Sequence, residues 1–165
     1  MAEARNRFDN RHFKRRRSMS RQYLMMAGRV LLSLIFILSG VSKIMDWSGT
    51  AQLLAAQGLP LVPLLLGAAT VIEIAGGLAL LLGWNARWGA WLLFLYLIPT
   101  TLIFHNFWAL TGADQQTQLV NFLKNLSIMG GLLLVAAYDR AALAAARDVD
   151  DAAETDAPQR RRAAG

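Results

Sequence analysis

The 165-residue chain contains no cysteine, which excludes disulfides, thiolate metal sites, iron–sulfur clusters and thiol redox chemistry carried by this chain itself. Charged residues make up only 17% of the sequence, and most of them lie near the two ends. Neither a nucleotide-binding loop nor a metal-ligand spacing is present, so we expect no metal site. The basic ends lack the aromatic pattern of nucleic-acid-binding domains, and no nucleic-acid partner is expected.

Most of the uncharged residues are apolar. Apolar residues make up 55% of the chain and are concentrated in four runs, each close to the ~20 residues that a helix needs to cross a bilayer. The runs do not alternate as the strands of a membrane barrel would. The sequence therefore predicts an all-α fold, a four-transmembrane-helix bundle over residues 23–139, with spans at about 24–45, 61–82, 86–107 and 119–138.

The two ends of the chain differ from this domain in composition. Residues 1–22 are basic and polar and are predicted to be a disordered cytoplasmic tail, and residues 140–165 are predicted to be a mostly disordered second tail. Basic residues occur in both tails, as lysine and arginine in the first and as arginine in the second, and at Arg87 in the second connection, whereas the first connection (46–60) and the third (108–118) contain none. By the positive-inside rule, both termini are predicted to be cytoplasmic, with Arg29 and Arg87 as polar residues on that side.

Glu73 lies near the middle of the second apolar run, where a carboxylate costs several kcal/mol unless it has a partner. The depth of Lys43 and of Lys124 lets either lysine reach it. Polar residues at helical spacing on the other spans suggest that all four helices turn polar faces inward. The sequence predicts a polar pocket, open toward the outside, formed by Lys43, Glu73, His105, Asn121, Lys124 and Asn125.

Three interpretations of this pocket remain open from the residues alone. The first is a structural ion-pair network that fixes helix register. The second is a site for a small acceptor such as a quinone, with Lys43, His105 and Lys124 as donors to a carbonyl and Glu73 or His105 as proton carriers. The third is a pathway for a small molecule or an ion. No self-contained catalytic motif is present, so catalytic residues and enzymatic activity remain unassigned.

Four sequence segments resemble the DoxX family of membrane proteins. They are GRVLLSLIFILSGVSKIMDW (28–47), EIAGGLALLLG (73–83), HNFW (105–108) and FLKNLSIMGGLLL (122–134). The resemblance implies a four-helix protein of the bacterial inner (plasma) membrane, in contact with membrane lipids. The polar positions that match are Arg29, Lys43, Glu73, His105, Lys124 and Asn125.

The resemblance also carries an expectation of function. Some relatives are small subunits of a thiosulfate:quinone oxidoreductase, and others are associated with oxidative-stress partners. The chain is therefore predicted to be a membrane subunit of a redox system that binds quinone and works with a partner subunit or as a homo-oligomer. It has no cysteine to receive sulfur itself. The alternative is a non-catalytic membrane protein that binds a partner or conducts a small solute.

Overall fold

The computed structural model describes the backbone of residues 2–163 and the side chains of residues 22–138. Its α-helices are α1 (Ala2–Met45), α2 (Trp47–Ala56), α3 (Val62–Leu82), α4 (Ala86–Phe104) and α5 (Gly112–Ala163), and a 3₁₀ turn covers Phe107–Ala109. No strand occurs among residues 2–163.

Four segments are long and apolar enough to cross a membrane, at Gln22–Met45, Val62–Leu82, Ala86–Ala109 and Gly112–Tyr138. The predicted all-α bundle of four membrane helices is thereby confirmed. The disorder predicted for the tails 1–22 and 140–165 stays a prediction, because the side chains of residues 1–21 and 139–165 lie outside the described part.

The membrane helices pack in a ring that follows the chain. α1 packs on α3, α3 on α4, and α4 on α5, while α5 returns to α1 through a much smaller contact. The diagonal pairs, α1 with α4 and α3 with α5, have no Cα atoms within 8 Å of each other among the described residues. The side of the bundle between α1 and α5 is therefore its most loosely packed side.

Glycines allow the closest approaches in this ring. A Cβ on Gly77 would lie 2.8 Å from Cγ1 of Ile37 on α1, and a Cβ on Gly76 would lie 2.6 Å from Cγ of Leu93 on α4. Helices in lipid gain stability mainly from close van der Waals contact, which small residues permit. The adjacent glycines thus hold α3 against both of its neighbours.

The bundle has two unlike ends. One is the short hairpin 83–85 between α3 and α4, where Gly83 and Asn85 have positive φ of 73° and 52°. A buried apolar cluster fills the half of the bundle toward this hairpin end; it includes Leu80, Ala86, Ala90, Leu93, Leu132, Val135 and Ala136. The other end carries α2 and the 3₁₀ turn and is called the α2 end below. Because this core fills the hairpin half of the bundle, a cavity can lie only in the α2 half.

Helix α2 lies in a segment that the sequence analysis treated only as a connection. Asp46 caps it, since its Oδ1 accepts a hydrogen bond of 3.1 Å from the Gly49 amide, a typical N-cap interaction. Thr50 Oγ1 donates to the Asp46 carbonyl at 2.8 Å. Leu54 is buried, and α2 packs mainly on α3. The short helix thus forms a partial cover over the α2 end.

Candidate functional site

The Glu73 carboxylate lies buried on α3, inside the bundle, and three neighbouring side chains donate hydrogen bonds to it. Lys43 Nζ lies 3.0 Å from its Oε1 and 2.9 Å from its Oε2. Ser39 Oγ donates to Oε1 at 3.2 Å, and Tyr96 Oη donates to Oε1 at 2.8 Å. A carboxylate in apolar surroundings is tolerated when it is paired and hydrogen-bonded in this way.

The backbone of α1 explains how this pairing forms. Ser39 and Lys43 are four residues apart and so share one helix face, and Lys43 Nζ also donates to Ser39 Oγ at 2.8 Å. Gly40 lies between them, and a Cβ at this position would be 2.6 Å from Cγ1 of Ile74 and 3.5 Å from Cβ of Glu73. The missing side chain lets α1 approach α3 closely enough for the ion pair to close.

A cavity of about 540 Å³ borders this cluster in the α2 half of the bundle. Most of its wall is apolar, and the polar wall includes Ser39, Lys43, Glu73 and Tyr96. Several apolar lining residues are also exposed on the outside of the bundle, among them Ile35 (48%), Leu53 (65%) and Leu65 (39%). The rim of the cavity therefore reaches the face that lipid covers.

A second polar group joins α4 and α5 near the same cavity. His105 Nδ1 lies 2.8 Å from Gln118 Oε1, and Asn125 Nδ2 donates to Thr101 Oγ1 at 3.0 Å. Next to it, the rings of Phe107, Trp108 and Phe122 contact one another edge to face, with centroids 5.2–6.1 Å apart. These contacts hold the 3₁₀ turn against α5 and so fix the position of His105.

The structure separates the six residues predicted to form a pocket. Lys43, Glu73, His105 and Asn125 line the cavity, whereas Asn121 and Lys124 do not. Lys43 is the lysine that reaches Glu73. Lys124 is exposed and makes no hydrogen bond or ion pair with the residues whose side chains the structure describes.

The two arginines predicted for the cytoplasmic side lie near the hairpin end. The Arg29 guanidinium packs against Gly83, where a Cβ would lie 2.6 Å from Nη2, and Arg87 lies over the ring of Trp88 with 5.4 Å to the centroid. Neither borders the cavity. Among residues 22–138, no group of three His, Asp or Glu side chains is arranged to hold a metal ion.

Tyr96 belongs to the cluster but was missed by the sequence analysis. Its hydroxyl bridges α4 to Glu73 on α3. A signal was available, because tyrosine in membrane helices favours the two interfaces, and Tyr96 lies in the middle of its span. A tyrosine at that depth needs a hydrogen-bond partner inside the bundle.

Four apolar helices around a paired acid and an amphipathic cavity define a multi-pass integral membrane protein. The profile of the DoxX family matches residues 24–106, and the chain belongs to that family. The resemblance drawn from the sequence is thus confirmed.

Named relatives agree with this placement. The chain is 36% identical to inner membrane protein YphA of Escherichia coli K12 over 117 residues, 71% of this chain and 84% of YphA. It is 34% identical to inner membrane protein YqjF of the same organism over 113 residues, 67% of this chain and 80% of YqjF. It is also 28% identical to ER-derived vesicles protein ERV29 of Saccharomyces cerevisiae over 113 residues, 68% of this chain and 29% of ERV29. No solved structure matches. The protein is a multi-pass inner membrane protein.

Proposed function

We propose that this protein binds a quinone-class ligand in the cavity of the α2 half, as the membrane subunit of a redox system. The observation that carries the proposal is the composition of the cavity wall. A salt-bridged, hydrogen-bonded cluster occupies one part of a lining that is otherwise mostly apolar and reaches lipid at Ile35 and Leu65. A ligand with a small polar ring and a long apolar tail matches both parts of that wall.

The size of the cavity supports the same class of ligand. Its volume of about 540 Å³ is within the usual range for small-molecule sites, and such sites combine apolar walls with a few converging polar groups. Here those groups are the Lys43–Glu73–Tyr96 cluster and, further toward the α2 end, His105. A lipid-soluble carrier would enter from the bilayer, where the rim is exposed, without crossing water.

A bound quinone supplies chemistry in which two electrons and two protons convert it to the quinol. The electrons come from a partner subunit that carries a redox group, and this chain supplies binding and proton contacts. The Glu73 carboxylate borders the cavity and is the group placed to accept or return a proton there. Lys43, Ser39 and Tyr96 orient that carboxylate.

We also propose that both termini lie in the cytoplasm, which places the α2 end outside. The support is the distribution of lysine and arginine, which spares residues 46–60 and 108–118. The natural absence of cysteine gives a clean test with single-cysteine variants. In intact cells, Gly58→Cys should react with a membrane-impermeant maleimide and Trp84→Cys should not; the reverse pattern would invert the topology.

The test of the quinone proposal is mass spectrometry of lipids extracted from the gently purified protein. We expect quinone in the extract of the wild type and its loss from Ala69→Phe, which fills the cavity from α3. Ala75→Phe is the matched control, since it adds the same side chain at an exposed position of the same helix that does not line the cavity. An extract of the wild type without quinone would refute the proposal.

One observation favours the competing function, a non-catalytic membrane protein that binds a partner or conducts a small solute. The side chains of the Glu73 cluster form hydrogen bonds with one another, as they would in a purely structural network. This function predicts no quinone in the extract and, for a conducting protein, a solute flux in proteoliposomes that depends on Glu73.

A further inference from the structure

Arg29 on α1 is a cation that the described part of the bundle leaves without an acceptor. Its Nε is buried and has no hydrogen-bond partner, and its guanidinium forms no hydrogen bond or ion pair with any residue that the structure describes. An arginine side chain is charged at physiological pH and carries five N–H donors. Pairing with an anion compensates the hydration that a partly buried charge of this kind has lost.

Among the described side chains, no carboxylate lies at the hairpin end to serve as that anion. This part of the chain contains three acids, Asp46, Glu73 and Asp114. Asp46 caps α2, and Asp114 lies in the first turn of α5, so both are at the α2 end. Glu73 is salt-bridged to Lys43. The counter-ion of Arg29 is therefore expected from outside these side chains.

The Arg29 guanidinium is held in a notch at Gly83, in the hairpin between α3 and α4. A Cβ on Gly83 would lie 2.6 Å from Nη2 and 2.9 Å from both Cζ and Nη1, and its φ of 73° is one that glycine adopts readily. Side chains on a helix lean toward its N-terminus, which directs Arg29 toward this hairpin. The planar fork of N–H donors is thereby positioned against the hairpin backbone before any ligand binds.

The surface around this notch is apolar and aromatic. Leu82 and Trp84, which flank Gly83 in the chain, are 71% and 75% exposed, and Met26, three residues before Arg29, is also exposed. Tryptophan favours the headgroup depth of a bilayer. Lipid phosphates lie at that depth, and their oxygens accept paired hydrogen bonds from a guanidinium. A phosphate on Arg29 would place its own acyl chains along these exposed side chains.

We infer that Arg29 and the Gly83 notch form a binding site for the phosphate group of an anionic glycerophospholipid, of the phosphatidylglycerol class. Such a lipid brings no ammonium group to compete with the arginine, as a zwitterionic lipid does. A free phosphate ion has the same oxygens but no acyl chains for the apolar rim. Arg87, at the same end, lies instead over the ring of Trp88, 5.4 Å from its centroid. The site is in the hairpin half and does not depend on the proposed function.

The experiment compares binding of phosphatidylglycerol and phosphatidylcholine to the full chain in detergent, by native mass spectrometry. High ionic strength screens exposed charges more than partly buried ones, and the basic residues of 1–21 are the same in every variant. We expect the wild type to bind phosphatidylglycerol at least about tenfold more tightly than phosphatidylcholine, and Arg29→Gln to lose at least about tenfold in affinity for phosphatidylglycerol. Arg29→Lys, which keeps the charge without the fork, should lose part of this preference. Arg87→Gln is the matched control, since it removes one charge at the same end, and it should retain the preference.

Each contrary outcome has one meaning. Unchanged affinity of Arg29→Gln for phosphatidylglycerol overturns the site, and so does an equal loss in Arg87→Gln, because a diffuse positive surface would then bind the lipid. Inorganic phosphate at millimolar concentration should not displace the lipid; displacement would overturn the lipid assignment in favour of the free ion. If Arg29→Gln loses its helical circular dichroism, Arg29→Lys decides, and an unchanged preference in that variant overturns the role of the fork.

Discussion

Removing both members of the Lys43–Glu73 pair should destabilise the bundle far less than the sum of the two single changes. The side chains are only 19% and 5% exposed, so each change leaves its partner in apolar surroundings. Breaking a buried pair costs about 3–5 kcal/mol. We expect Lys43→Met to cost about 3 kcal/mol, the low end of that range, because the partly exposed lysine already has some access to water.

Glu73→Gln should be milder, at about 2 kcal/mol, the size of a lost hydrogen bond to a charged group. After this change the Lys43 ammonium can extend toward the membrane surface along its flexible stem. Glu73 has no such route, because its side chain is shorter and lies buried on α3. The double variant Lys43→Met/Glu73→Gln should cost about 2 kcal/mol in total, which gives a coupling energy of about 3 kcal/mol.

Equilibrium unfolding in mixed detergent and dodecyl sulfate micelles, followed by circular dichroism, measures these differences. Lys124→Met is the matched control, since this lysine is exposed and lies outside the cavity wall. It should change the free energy of unfolding by less than about 0.5 kcal/mol. If the costs of the two single changes simply added in the double variant, the ion pair would not be the source of the stability and the reasoning would fail.

Two further predictions concern packing and capping. Gly76→Ala should cost about 1–3 kcal/mol because its Cβ would lie 2.6 Å from the fully buried Leu93, whereas Gly130→Ala, with no atom within 4 Å, should be neutral or stabilising in the same unfolding assay. Equal effects at the two glycines would contradict the close approach of α3 and α4. Asp46→Ala should remove about 1 kcal/mol of capping from α2 and accelerate hydrogen exchange of residues 47–56. Unchanged exchange there would show that packing on α3, rather than the cap, holds the helix.

The number and type of the membrane helices could be predicted because each span is a long apolar run, and lipid permits few alternatives to helix for such runs. Glu73 and its lysine partner could be anticipated for a related reason, since a mid-membrane acid requires a cation or a donor. The expected depth in the membrane, however, allowed Lys43 and Lys124 equally as the partner of Glu73. The rotation of each helix decides between them, and it follows from packing at Gly40 and Gly77, which the span pattern does not reveal.

The role of Tyr96 and the presence of helix α2 were harder to predict from the sequence. A single tyrosine in an apolar run has no periodic pattern to mark its direction, and only the helix packing shows that it meets Glu73. The ten residues of α2 are too few to cross a bilayer, so hydropathy places them in a connection. Asp46 followed by Gly49 and Thr50 was the local capping signal for this helix.

The most direct test of the ion pair inside the bundle is a distance measurement by solid-state NMR. The chain contains only three glutamates (Glu3, Glu73, Glu154) and three lysines (Lys14, Lys43, Lys124), so labelling Glu with ¹³Cδ and Lys with ¹⁵Nζ gives few pairs. With Nζ 2.9–3.0 Å from both carboxylate oxygens, one glutamate signal should show strong dipolar dephasing. The dephasing should vanish in Lys43→Met and persist in Lys124→Met. Its absence from the wild type, or its survival without Lys43, would contradict the account.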